Sequence, residues 1–141
     1  MRKRFLPSTY DSLCEEDPHG FGVLLDALRN EPHKVRAIVT ANPALLYVTN
    51  LAGENVLHWL AIENRHEEVR LLRSLGSPIP KNALIDAVEL GKLETVITLL
   101  ELGSEVIPSE ITQAINYKLP NLNKKKTSLI RRYFKQFGYE V

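Results

Sequence analysis

Apolar residues recur along the chain in short clusters at three- and four-residue spacing, and each cluster is closed by a break. Leu57, Leu60 and Ala61 form one stripe; Val69, Leu71, Leu72 and Leu75 form a second, which ends at Gly76. The same order returns as Leu84, Ala87 and Val88, then Val96, Leu99, Leu100 and Leu102, ended by Gly103. This spacing places apolar side chains on one face of a helix. A glycine just past the second stripe supplies a left-handed stop, and Pro78, Pro80 and Pro108 prevent the helix from continuing. The pattern predicts pairs of short helices joined as hairpins.

Sliding the sequence along itself turns these pairs into a repeat. A shift of 27 residues carries Val69 to Val96, Gly76 to Gly103 and Ser77 to Ser104, and carries Leu84, Ala87 and Val88 to Ile111, Ala114 and Ile115. A shift of 34 sets Val23 and Ala27 against Leu57 and Ala61. The expected fold is therefore all-α, a helical-hairpin repeat solenoid of about four units: residues 21–49, 50–79, 80–106 and 107–137, the last acting as a cap. Residues 1–20 precede it as an N-terminal extension. Ala27, Ala61, Ala87 and Ala114 fall at the middle of the first helices, where a short side chain lets hairpins stack closely. No single hairpin can bury its apolar faces alone.

The stretch Gly53-Glu54-Asn55-Val56-Leu57-His58-Trp59-Leu60-Ala61, followed by Val69-Arg70-Leu71-Leu72 and Gly76, resembles an ankyrin repeat, whose core is Gly-x-Thr-Pro-Leu-His-x-Ala with a later Val-x-x-Leu-Leu and a closing glycine. Asn55 and Val56 stand where Thr-Pro is usual. The third unit keeps Leu84, Ala87, Gly91, Val96, Leu99, Leu100 and Gly103 but has Ile85 in place of the histidine. The likeness runs from Phe21 to Tyr117, with Leu129–Phe134 as a final outer helix. Against an ankyrin period of about 33, the links Gly76–Leu84 and Gly103–Ile111 are short, and only Asn42–Asn55 is long enough for a full fingertip. The resemblance implies a protein-binding module with its contacts on the inner helices, and a structural hydrogen-bonding role for His58 between loops.

Composition narrows the chemistry. With 44% apolar and 25% charged residues among 141, the chain reads as a folded domain. Its net charge of +1 gives no global pull toward nucleic acid. The charge is unevenly placed: Lys81–Tyr117 holds two basic and six acidic residues, whereas Lys118–Val141 holds seven basic residues against Glu140. Cys14 is the single cysteine, which excludes an internal disulfide and fits a cytoplasmic setting. The acidic neighbours of Cys14 discourage a thiolate. Ser12 and Glu15 have the spacing of a capping box. The four histidines show no metal-ligand spacing, and Gly20-Phe21-Gly22 lacks the lysine of a phosphate loop. The expectation is a non-enzyme without cofactor or metal.

Leu129, Ile130, Tyr133 and Phe134 lie at helical spacing within the basic end, which reads as a capping helix with a polar outer side. Carried through the repeat alignment, the concave positions of the family become Leu28 and Arg29, Ile62 and Glu63, Glu89 and Leu90, and Asn116 and Tyr117. Leu28, Ile62, Leu90 and Tyr117 would make an apolar strip if exposed, of the kind that marks a partner site. Trp59 joins them as an aromatic anchor, and Leu51, Ala52 and Glu54 extend the surface at the fingertip. The functional expectation is a monomeric, cytoplasmic module that docks a partner protein on this surface, in one form a stand-alone inhibitor or antitoxin-like immunity protein. An adaptor or scaffold, a nucleic-acid-associated factor using the basic cap, and a small hydrolase are the alternatives from other classes.

Overall fold

The computed structural model describes residues 20–117 and 123–141. The N-terminal extension up to residue 19, with Ser12, Cys14 and Glu15, lies outside the described residues, as does Lys118. Among the described residues the regular structure is entirely helical. The helices are α1 (Phe21–Asn30), α2 (Val35–Ala41), α3 (Val56–Ile62), α4 (His66–Ser74), α5 (Lys81–Glu89), α6 (Leu93–Glu101), α7 (Pro108–Asn116) and α8 (Lys124–Gln136). Short 3₁₀ turns at Pro32–Lys34 and Pro43–Tyr47 flank α2. None of these helices is long and apolar enough to cross a membrane.

The packing follows the hairpin order. Helix α1 rests on α2, α3 on α4 and α5 on α6, while α1, α3, α5 and α7 touch in succession and α4, α6 and α8 do the same behind them. One row of helices thus backs the other, and a common core runs from Phe21, Leu24 and Leu25 through Trp59, Leu60 and Ala87 to Leu99, Ile130 and Phe134. Ala61, Ala87 and Ala114 are buried at the helix contacts, while Ala27 is half-buried. Val23, set against Leu57 by the 34-residue shift, is exposed instead; Leu24, Leu25 and Leu28 turn inward from α1.

Helices α4 and α6, and likewise α5 and α7, begin and end 27 residues apart. Their ends repeat as well. Ser77 N donates to Leu72 O at 3.0 Å and Ser104 N to Leu99 O at 3.0 Å, around Gly76 and Gly103 at positive φ. The inner helices close in the same way, through Arg65 N to Leu60 O and Lys92 N to Ala87 O, both 2.9 Å. The residues that turn left there are Asn64 (φ 59°) and Gly91 (φ 67°). Each bond recovers a carbonyl that a helix end would otherwise leave unpaired.

The short links pass directly from Ser74 to Lys81 and from Glu101 to Pro108. The longer connection after α2 winds through the 3₁₀ turn at Pro43–Tyr47, which buries Leu45 and Leu46, and then makes a tight turn around Asn50. Asn50 Oδ1 accepts from the main-chain N–H of Ala52 at 2.9 Å and of Glu54 at 3.1 Å, and Asn50 Nδ2 donates to Glu54 Oε1 at 2.9 Å. The turn is held from within, leaving Leu51 at its tip 81% exposed. At the other end α8 buries Ile130 and Phe134, half-buries Leu129 and Tyr133, and leaves Lys124, Lys125, Arg131, Arg132 and Lys135 outward.

Candidate functional site

Helices α5 and α7 lie side by side in the inner row, and their facing flanks do not close completely. A cleft of about 310 Å³ remains, lined by Lys81, Asn82, Ile85 and Glu89 from α5 and by Glu110, Gln113, Ala114 and Tyr117 from α7 and its end. Positions 82, 85 and 89 share one helical flank, as do 110, 113, 114 and 117. Ala114, buried between the helices, lines the bottom of the cleft. Lys81 Nζ reaches Glu110 Oε2 at 3.3 Å between the walls. Tyr117 stands at the rim, 58% exposed. The Glu89 carboxyl titrates above its ordinary value of 4.5, first because it is partly desolvated and then because Asp86 repels its charge.

No family model, curated protein or solved structure matches the chain. The site therefore rests on its own geometry.

The sequence-derived ladder divides in two. Glu89 and Tyr117 line the cleft, Asn116 is exposed beside it, and Leu90 is half-buried against the core. The expected apolar strip is not formed, since Leu28, Ile62 and Trp59 are buried and belong to the core. The cause is the position of α3, which has α1 on one side, α5 on the other and α4 behind it. All seven of its residues are buried, Trp59 at 0% exposure, so α3 has no free apolar flank to offer a partner. Arg29 and Glu63 are also engaged: the guanidinium bonds both carboxylate oxygens, with Nε to Oε1 at 3.0 Å and Nη2 to Oε2. Their side chains are only 17% and 14% exposed, and Arg65 Nε lies 3.4 Å from the same carboxylate. This pair joins the first unit to the second. Leu51 and Ala52 are exposed as expected, whereas Glu54 is half-buried and bonded to Asn50.

Lys81, Asn82, Ile85, Glu110 and Gln113 were not among the sequence candidates. Alignment to the resembled family points just past the small residue of each inner helix, while the cleft runs along the preceding turns. The signal that finds them is the i, i+3, i+4 spacing of polar residues flanking Ala114 and Ile85.

Glu54, His58 and Asp86 are the one trio among the described residues with ligand-type atoms close enough to consider for a metal, all within 4.8 Å of one another. His58 is buried, and its Nε2 lies 2.8 Å from Asp86 Oδ2 and 3.6 Å from Glu54 Oε2. Two donors on a tetrahedral zinc sit about 3.3 Å apart given bond lengths near 2.0–2.1 Å. The His58–Asp86 separation is that of a hydrogen bond. It fastens α3 to α5, and Asn55 works beside it: its Oδ1 accepts from His58 N at 2.9 Å, and its Nδ2 donates to Pro78 O at 3.2 Å.

Proposed function

We propose that this chain is a small ankyrin-like solenoid that binds a partner protein on its inner-helix surface, centred on the cleft between α5 and α7. The observation that carries this reading is the cleft itself. It joins an apolar floor, Ile85 and Ala114, to polar groups and an exposed aromatic rim, the mixture that specific binding sites use. Support for the solenoid comes from the 27-residue recurrence of helix bounds, glycine stops and small inner residues.

The cleft lacks the groups that acyl transfer or hydrolysis would need. Its lining contains no histidine, cysteine or serine, and one of its two carboxylates, Glu110, is bonded to Lys81. A binding role needs none of these. Covering a working surface of the partner would make such a chain an inhibitor without any chemistry of its own.

The reading is tested by capture from the native lysate with the intact protein beside Gln113→Trp, whose exposed side chain fills the cleft without touching the core. After circular dichroism establishes equal helicity, a protein retained by the intact chain and lost by the variant is the expected result. Equal retention by both would move the site elsewhere.

A further inference from the structure

Helix α8 turns one side to the core and presents a single sign of charge on the other. Ile130 and Phe134 are buried, whereas Lys124, Lys125, Arg131, Arg132 and Lys135 are exposed. At about 3.6 residues per turn these five fall within about a third of the helix circumference, with the exposed Ser128 among them. Lys126 sits half-buried on the opposite flank. Along the rest of the described chain, Arg29, Lys34, Arg65, Arg70 and Lys81 each reach a carboxylate. None of the five on α8 forms an ion pair among the described residues; the helix contains no acid, and Glu140 is the one acidic residue after it. This arrangement works against the helix. Lysines in the first turn oppose its dipole, and Arg131 and Lys135 are like charges four residues apart. A surface that only had to stay soluble is better served by both signs interspersed.

We infer that the outer face of α8 binds the phosphate backbone of double-stranded DNA. It belongs to the outer row of helices, apart from the α5–α7 cleft, and does not depend on the docking proposed there. The charges form two groups, Lys124 with Lys125, and Arg131 with Arg132 and Lys135. At a rise of about 1.5 Å per residue the groups begin about 10 Å apart, close to the width of the major groove, about 12 Å. They match the two phosphate rows that border the groove. Arg131 Nε donates to Val141 O at 3.1 Å, which steadies the guanidinium and leaves its other donors to fork onto a phosphate. The net charge of +1 does not oppose such contacts, which act within a Debye length of about 8 Å at physiological salt. Other partners fit less well. The face has no exposed apolar residue to form the centre of a protein interface. The apolar side of α8 is in the core, so a bilayer would be held by charge alone, whereas stable attachment takes a second signal. No aromatic lies on the face for unpaired bases to stack on.

The test is fluorescence anisotropy of the intact protein with short labelled DNA duplexes of two unrelated sequences, across a range of salt. Both should bind alike, with Kd on the order of 10–100 µM at physiological salt, and log K should fall against log salt with a slope of about −4, each phosphate contributing about −0.9. Arg132→Gln/Lys135→Gln relieves repulsion on the helix and leaves the Arg131 bond to Val141 in place. It should weaken binding on the order of tenfold and make the slope shallower by about 2. Lys34→Gln/Arg36→Gln removes the same charge from exposed positions of the first unit and should change neither. Lys124→Gln/Lys125→Gln carries the expectation of the α8 pair should that pair lose helicity. Absence of binding at low salt, a slope near zero, or an equal loss in Lys34→Gln/Arg36→Gln would overturn the inference. So would tighter binding, at the same salt, to duplex RNA, single strands, phosphatidylserine vesicles or polyglutamate, each of which would assign the same charges to a different partner.

Discussion

Asn64 caps a helix that begins 29 residues after it: its Oδ1 accepts from Thr95 N at 3.3 Å and Thr95 Oγ1 at 2.9 Å, and its Nδ2 donates to Glu94 Oε1 at 2.8 Å. Lys92, the residue at the N-cap of α6, gives no side-chain bond, so the second unit supplies the cap that the third lacks. One period later Gly91 has no side chain to offer, and α8 is capped by its own Asn123, whose Oδ1 accepts from Lys126 N at 2.9 Å. Asn64 thus combines a left-handed turn with a joint between units. Asn64→Gly keeps the turn and loses the cap; Asn64→Ala loses the cap and strains the turn. In urea unfolding, glycine should cost about 1–3 kcal/mol for the orphaned N–H of buried Thr95, and alanine about 1–2 kcal/mol more for its left-handed backbone.

The Arg29–Glu63 pair should behave as a coupled unit, since it is bidentate and mostly shielded from water. Removing either partner leaves a partly shielded charge with only a weaker second counterion, Arg65 for Glu63 or Asp26 for Arg29, at a cost of about 1–3 kcal/mol, below the range for fully buried pairs. The double variant Arg29→Met/Glu63→Met should lose much less than the sum of the two single changes. A double-mutant cycle in urea measures this, and simple additivity would show that the pair does not hold the units together.

The helices and their ends were legible in the sequence because backbone constraints leave residue-type marks: Gly76 and Gly103 follow α4 and α6 at positive φ, and Ala87 and Ala114 are buried at helix contacts. The last helix was legible too, through the spacing of Ile130 and Phe134, which it buries. The candidate site was less so. Whether Leu28 or Ile62 faces solvent depends on how closely three neighbouring helices surround it, a tertiary property that apolar spacing does not encode. The same holds for Arg29 and Glu63, two charges whose pairing requires the stacking of one unit on the next. Asn64 was missed because asparagine is only an occasional substitute for glycine in the left-handed region.

Glu89 should lower the stability it would otherwise leave intact. Its folded pKa lies above the ordinary 4.5, so the folded state holds the proton more tightly and loses stability as pH rises from 4.5 through that folded value. Glu89→Gln should therefore raise the melting temperature at neutral pH, and this gain should vanish below pH 4.5, where the native carboxyl is also neutral. Melts of both proteins across the acid range check the sign. A variant less stable at neutral pH would contradict the assignment of Glu89 as an uncompensated charge.

The claim that a partner docks on the inner row of helices is tested most directly by placing a photo-crosslinking amino acid at Gln113, in the cleft, and in a second protein at Arg132, on the exposed side of α8. Irradiation in the native cell and separation by mass should give one discrete adduct from position 113 and none of that mass from position 132. An adduct from position 132 alone would place the partner on the basic outer surface and contradict the account.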